Sequence, residues 1–209
     1  MTQSAGGYPE WVFSGAADNH NYLVPAVLHA LPRGEGQRVL DIGCGNGALT
    51  AQIQRAGMSV TGIDFTASGI DRARQSFPDI TFVVHDISDP LLPALQGQFD
   101  IVVSAEVIEH LFAPRTLLAR AREALGDSGM VVLTTPYHGY WKNLAIAVTG
   151  RFDNHWTPLS DYGHIKFFSE RTLGELCREC GFEPVRWSRA GRIRPLAGSM
   201  IVTATMQSQ

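Results

Sequence analysis

The sequence predicts a Rossmann-like α/β fold built around a mostly parallel sheet, and three observations predict it. Apolar strand-like runs alternate with amphipathic helical runs; a Gly-rich turn, Asp41-Ile42-Gly43-Cys44-Gly45-Asn46-Gly47, follows the first strand; and single acids stand at successive strand tips. Parallel strands need crossover helices, so this alternation reads as repeated βαβ units.

Taken in order, a polar, Gly-containing leader ends at Asp18, which is placed to cap a helix reaching about Leu31. Tyr22, Leu23, Ala26, Val27 and Ala30 fall at helical spacing, and Pro32-Arg33-Gly34-Glu35-Gly36 ends the helix. Strands are expected at Arg38–Gly43, Ser59–Asp64, Thr81–Asp86, Phe99–Ala105 and Gly129–Thr135. Helices are expected near Ala48–Ala56, Ala67–Phe77 and Pro114–Leu125, the last opening on a proline whose missing N–H costs nothing there. Regular alternation lapses between Pro136 and His164 around a short apolar helix, Asn143–Val148. We read residues 137–164 as a lid inserted in one domain spanning 1–209, since long insertions at the carboxyl edge of such a sheet commonly cover a substrate. Ser169 then caps a helix Arg171–Cys180 stopped by Gly181, and two β-like runs, Glu183–Ser188 and Ser199–Met206, finish the chain.

Bulk composition narrows the function classes. The 209 residues are 44% hydrophobic and 18% charged, an ordinary globular balance, and the formal net charge of −3 speaks against a broad phosphate-binding surface. Arg186, Arg189, Arg192 and Arg194 form a local basic cluster, read either as an anion contact or as a solvated segment. There is no basic leader with an apolar core, and no apolar run approaches the roughly 20 residues of a membrane span. The expectation is therefore a cytoplasmic protein without a transmembrane segment and without a nucleic-acid partner; oligomeric state is not legible. Cys177 and Cys180 are spaced as a lone C-x-x-C, which without a second pair favours ordinary thiols over zinc.

The Gly turn can cradle a nucleotide-like cofactor, because glycine permits positive φ and close approach of a ligand to the backbone beside a helix N-terminus. Dinucleotide-binding folds use a similar turn, G-x-G-x-x-G or its looser form ending in Ala, and Ala48 leaves that pattern open. Asp41 tips the balance, since a carboxylate immediately before the turn repels a diphosphate and suits a cofactor carrying a cationic amino acid. Asp64 ends the second strand, placed for ribose hydroxyls, and Asp86 follows the third, placed for an adenine amino group with Phe65 and Ile87 as apolar walls. Ser104, near the tip of the fourth strand, joins this set.

These motifs, with Gly62-Ile63-Asp64 and Phe99-Asp100-Ile101-Val102-Val103, resemble those of class I S-adenosylmethionine-dependent methyltransferases over roughly Gln37 to Met206. The resemblance implies S-adenosyl-L-methionine as cofactor, held at its methionine end by Asp41, Gly43, Cys44, Gly45, Asn46 and Gly47, at the ribose by Asp64 and at the adenine by Asp86. It also implies a seven-stranded sheet with helices on both faces and an antiparallel last strand.

On the acceptor side, the fourth strand runs into Glu106-Val107-Ile108-Glu109-His110. In a helix Glu106, Glu109 and His110 would share one face and, with His164, offer oxygen and nitrogen ligands to Mg2+ or another divalent metal. This Glu-x-x-Glu-His with a downstream His resembles quinone-biosynthesis O-methyltransferases and RNA 3′-terminal 2′-O-methyltransferases. Metal-free relatives carry a similar Glu-His pair, and in that reading His110, His138, His155 or His164 is the general base. Tyr137, Tyr140, Trp141 and Trp156, with Phe152 and Tyr162, supply aromatic surface for a planar acceptor, although each also suits packing. Asn143–Val148 reads as a buried helix or as a contact to a lipid tail. The expected function is methyl transfer to a small aromatic or quinol-like acceptor at oxygen. An RNA 2′-O-methyltransferase, a nucleotide-dependent oxidoreductase and a non-catalytic cofactor-binding module remain the alternatives.

Overall fold

The computed structural model describes residues 20–32, 34, 36–126, 128–156, 163–191 and 196–207. Its centre is a seven-stranded sheet in the order β3-β2-β1-β4-β5-β7-β6. The strands are β1 (Arg38–Ile42), β2 (Ser59–Asp64), β3 (Thr81–Val84), β4 (Ile101–Ala105), β5 (Met130–Pro136), β6 (Phe182–Ala190) and β7 (Ser199–Met206). The first five pair in parallel, and β7 runs antiparallel between β5 and β6. The strand order reverses between β1 and β4, which opens a crevice at their carboxyl ends.

Burial on both faces follows from the alternation of side chains along each strand. Leu40, Ile42, Val102, Val131 and Leu133 pack with α4 (Arg115–Leu125) and α7 (Glu170–Glu179) on one side. Val39, Val103 and Val132 face the other side, against α1 (His20–Ala30), α2 (Ala48–Arg55) and α3 (Ala67–Ser76). Burying these aliphatic side chains supplies the main driving force, at roughly 1.5–3 kcal/mol each. Asp41 lies on the second side in the same register as Val39, so its carboxylate is carried into the protein beneath the start of α2.

Most element ends agree with the sequence within one residue, and two of the exceptions have local causes. β3 ends at Val84 rather than Asp86, because Asp86 turns the chain, its carbonyl accepting from the Asp89 N–H and its carboxylate from the Ser88 N–H. The helix after β5 starts at Tyr140, three residues before its expected start, so α5 is Tyr140–Val148; a further short helix, α6 (Phe152–Trp156), was not anticipated. Ser169 caps α7 as expected, in a reciprocal box with Thr172. The Asp18 cap, Arg192, Arg194 and Tyr162 lie outside the described residues. Among the described residues no helix is long and apolar enough to cross a membrane.

Candidate functional site

The turn after β1 is shaped by three glycines with left-handed backbone, Gly43 (φ 79°), Gly45 (φ 53°) and Gly47 (φ 77°). Gly47 is also sterically fixed: a Cβ there would stand 2.7 Å from the Phe82 ring and 3.0 Å from the Ala73 Cβ. No side chain caps α2 through Gly47. The turn is tied to β2 by Asp64, whose one carboxylate oxygen accepts from the Gly45 N–H (3.0 Å) and whose other accepts from the Thr66 N–H (2.8 Å) and hydroxyl (2.6 Å). Asp64 thus stands at the second strand's tip against the Gly turn, as the sequence suggests.

Asp41 is 1% exposed and accepts a hydrogen bond from the Thr50 hydroxyl at 2.7 Å, linking β1 to α2 under the turn. Burial, partly offset by Thr50 and reinforced by the neighbouring Asp64, pushes its carboxyl up to about 7. Cys44 packs its thiol inward toward Gly62, where a Cβ would come within 2.8 Å of the sulfur, so only its backbone is offered to a ligand. The Asn46 side chain accepts from the Ala48 N–H at the helix start. At the next tip Asp86 is exposed, Ile87 is partly buried against the core, and Phe65 presents an exposed ring. Ser104 is spent differently from the expectation: its buried hydroxyl donates to the Ile42 carbonyl at 2.9 Å and so clamps β4 to β1.

After β4 the chain forms a 3-10 turn, Ile108–His110, instead of the helix that would have aligned Glu106 with Glu109 and His110. Glu106 is the reason. It adopts φ 55°, its N–H bonds to the Thr134 carbonyl and hydroxyl on β5, and its carboxylate accepts from the Thr134 hydroxyl at 2.8 Å. Val107 then lies against Gly43, which joins this turn to the cofactor turn.

Glu109 is fully buried, and neither of its carboxylate oxygens has a hydrogen-bond partner among the described residues. Burial, with the Glu106 carboxylate beside it, holds Glu109 well above the usual carboxylate range. Its backbone carbonyl accepts from the Ile165 and Lys166 N–H groups at 3.0 and 2.9 Å, which pins the segment carrying His164 over the turn. His164 Nε2 comes to 3.9 Å from the Glu109 carboxylate, and the His110 and His164 rings meet edge to face at 4.8 Å. Ligand atoms of Glu109, His110 and His164 all lie within 4.8 Å of one another, a grouping that Glu106 does not join. His110 Nδ1 lies 3.3 Å from the Gly163 carbonyl, a contact that favours the tautomer protonated at Nδ1. Burial and the neighbouring His110, His155 and Lys142 push His164 down to about 4, keeping it neutral.

The remaining predicted residues separate into two sets. His138, His155 and Trp156 gather into one cluster, with the His138 ring stacked on Trp156 at 5.1 Å and Phe167 perpendicular to Trp156 at 4.1 Å. Tyr140 and Trp141 instead stand out on α5, and Tyr137 is buried under the Arg189 guanidinium, 4.2 Å from its ring centre. The basic cluster is used internally where it is described: Arg189 pairs with Glu170, and Arg186 donates to the His29 and Ala30 carbonyls at the end of α1. Lys142, Asn143 and Phe167 were not singled out from sequence; the aromatic and histidine residues around them were the only available signal.

With this geometry in view, comparisons with known proteins agree with one another. A family profile described as a methyltransferase domain matches residues 8–186. A ubiquinone biosynthesis O-methyltransferase of Cereibacter sphaeroides is 30% identical over 187 residues, covering 83% of this chain and 75% of that protein. In three further Cereibacter sphaeroides strains the chain spans 62%, 62% and 69% of the corresponding enzyme. Among solved structures, a Mesorhizobium loti S-adenosylmethionine-dependent methyltransferase superposes with a TM-score of 0.69 at 22% identity, covering 87% of this chain and 96% of the other. The Burkholderia thailandensis 1,6-didemethyltoxoflavin-N1-methyltransferase, solved with S-adenosylhomocysteine, gives 0.64 at 23% identity, covering 89% and 77%.

Proposed function

The chain belongs to the class I S-adenosylmethionine-dependent methyltransferases, and from that premise we propose that it methylates an oxygen of a small aromatic or quinol-like acceptor with the help of a divalent metal. The observation that carries the metal is Glu109: a wholly buried carboxylate with both oxygens unpartnered, beside two imidazoles. Ionising a buried, unpaired carboxyl is costly, which is why Glu109 keeps its proton to higher pH than an ordinary carboxyl, and a bound cation would offset that cost. Glu109, His110 and His164 would hold it. One carboxylate and two imidazoles suit manganese, iron or zinc at least as well as magnesium. When bound, such an ion lowers the pKa of a hydroxyl and fixes its oxygen.

The chain's own residues supply the rest. The glycines and Asp64 would seat the nucleoside, Asp41 would balance the positive charge of the methionine end, and Asp86, Ile87 and Phe65 would receive the adenine. S-adenosylmethionine brings a sulfonium methyl that leaves by in-line displacement, so correct alignment of donor and acceptor is the main contribution of the protein. The contact of Val107 with Gly43 sets the acceptor turn against the cofactor turn and supports that alignment. His110, His138, His155 and His164 stay as candidate proton acceptors, and residues 137–164 as the lid. The C. sphaeroides relatives favour a quinol-like acceptor.

Methyl transfer from radiolabelled S-adenosylmethionine to a panel of phenols tests the reading. Activity lost in chelator and restored by manganese or magnesium is expected; full activity in chelator would overturn the metal.

A further inference from the structure

The segment between β5 and α7 contains a second group of orphaned polar atoms, apart from Glu109. His138 is 9% exposed, yet neither ring nitrogen has a hydrogen-bond partner among the described residues; the same holds for His155 Nε2 and for Asn143 Oδ1. These atoms sit close together. The His138 and His155 ring centres are 5.5 Å apart, and Asn143 reaches back to the His138 carbonyl at 3.4 Å. Flat apolar walls enclose them, Trp156 parallel to His138 at 15° and Phe167 perpendicular at 86°.

Packing alone does not account for such a recess. A buried polar group without a partner costs about 1–3 kcal/mol, and an aliphatic side chain at 138 would fill the same space without that cost. A cation stands near these rings, the Lys142 ammonium, which donates to the Gly198 carbonyl at 3.4 Å. The Lys142 ammonium, one turn into α5, acts on His138, His155 and His164 and makes each harder to protonate, while burial holds His138 down at about 4. Neutral imidazoles each keep one N–H to donate, and the lysine adds a positive charge. The carboxylate that Lys142 also reaches, Glu106, is half-buried and bonded to Thr134, with its proton affinity raised. Donors, a cation and flat apolar walls together match a planar molecule carrying an anionic oxygen group.

We propose that His138 and His155, with the Lys142 ammonium, bind an anionic oxygen group, carboxylate or phosphate, on the methyl acceptor, with Trp156 and Phe167 against its planar part. This deepens the methyltransferase reading and rests on it. The recess sets which acceptors are used: molecules with an acidic substituent are held, and neutral analogues of the same shape are not.

Calorimetry on the full chain with S-adenosylhomocysteine present tests this, using phenyl phosphate, phenylacetate and phenol as probes. At least one of the two anions should bind ten-fold or more tighter than phenol, and which one does tells phosphate from carboxylate. Lys142→Met should weaken that anion at least ten-fold and Lys142→Arg should recover most of the loss. In the unsubstituted protein, 15N NMR should show the His138 and His155 ring nitrogens shifting with the bound anion, a readout that no folding defect can mimic. Phenol binding as tightly as both anions, an undiminished Lys142→Met variant, or unmoved imidazole signals would each overturn the proposal. Failure of S-adenosylhomocysteine to bind at all would instead count against the methyltransferase reading.

Discussion

The Glu109 carboxylate lies 3.9 Å from His164 Nε2 in a position closed to solvent, and the Glu109 carbonyl itself holds the His164 segment in place through Ile165 and Lys166. The same residue therefore builds the cluster with its backbone and supplies it with a carboxyl from its side chain. Glu109→Met keeps the first role and deletes the second. In chelator this variant is expected to melt at or above the temperature of the unsubstituted protein, because an unpaired buried carboxyl is replaced by a side chain of similar volume. Manganese should raise the melting temperature of the unsubstituted protein only, corresponding to about 2.7 kcal/mol at a hundred-fold excess over Kd. An equal manganese shift in both proteins would show that the ion binds elsewhere.

Asp41 makes a second prediction, in which pH has a definite sign. Its carboxyl is pushed up to about 7 in the folded protein, above the ordinary value of 3.8. Between those two values the folded chain holds a proton that the unfolded chain has released, so this group makes stability fall as pH rises from about 4 to about 7. Cofactor binding works in the opposite sense. A cationic ligand favours ionised Asp41, so affinity should climb as pH approaches 7 and level off above it, with a proton released on binding below that point. Calorimetry in two buffers of different ionisation enthalpy counts the proton. Asp41→Asn should abolish the proton release, weaken S-adenosylmethionine binding and raise apo stability above pH 7; an unchanged proton count would refute the role.

The elements that produced these two sites differ in how openly the sequence announces them. The Gly turn and Asp64 were legible because strand, turn and helix follow one another in the chain, and β7 was placed residue for residue because Ser199–Met206 is bounded by turn residues and rich in β-branched side chains. The cross-strand bonds of Ser104 and Glu106 were not legible for a common reason. Their partners, the Ile42 carbonyl and Thr134, lie 62 and 28 residues away, and no local periodicity reports a contact across strands. The start of α5 was missed, and Asn143–Val148 is not the buried helix expected, because no residue of α5 is buried: Tyr140, Trp141, Leu144 and Val148 all stand exposed, so no buried apolar face marks its bounds.

Gly47→Ala offers a third prediction. The substitution places a side chain on left-handed backbone, at about 1–2 kcal/mol, and also drives a methyl group into Phe82. Chemical denaturation should show a loss of about 2–4 kcal/mol from the two effects combined. Adding Phe82→Leu should relieve the collision and return part of that loss, while cofactor affinity stays impaired because the turn itself has moved. Full recovery of affinity in the double variant would mean that the glycine serves packing alone.

Trp156 separates acceptor binding from cofactor binding. It stacks on His138, meets Phe167 edge to face and lies parallel to Phe152 at 6.5 Å, so it holds together the aromatic wall of the segment after β5. Such pairs contribute about 0.5–1.5 kcal/mol each beyond burial. None of the described hydrogen bonds around the Gly turn involves it. Trp156→Ala should therefore raise the KM for a phenolic acceptor several-fold while leaving S-adenosylhomocysteine affinity within a factor of two, and Trp156→Phe should recover much of the loss because it restores a flat ring. An acceptor KM left unchanged by Trp156→Ala would place the acceptor away from this wall, and equal damage to both ligands would show that the tryptophan supports the fold rather than the acceptor.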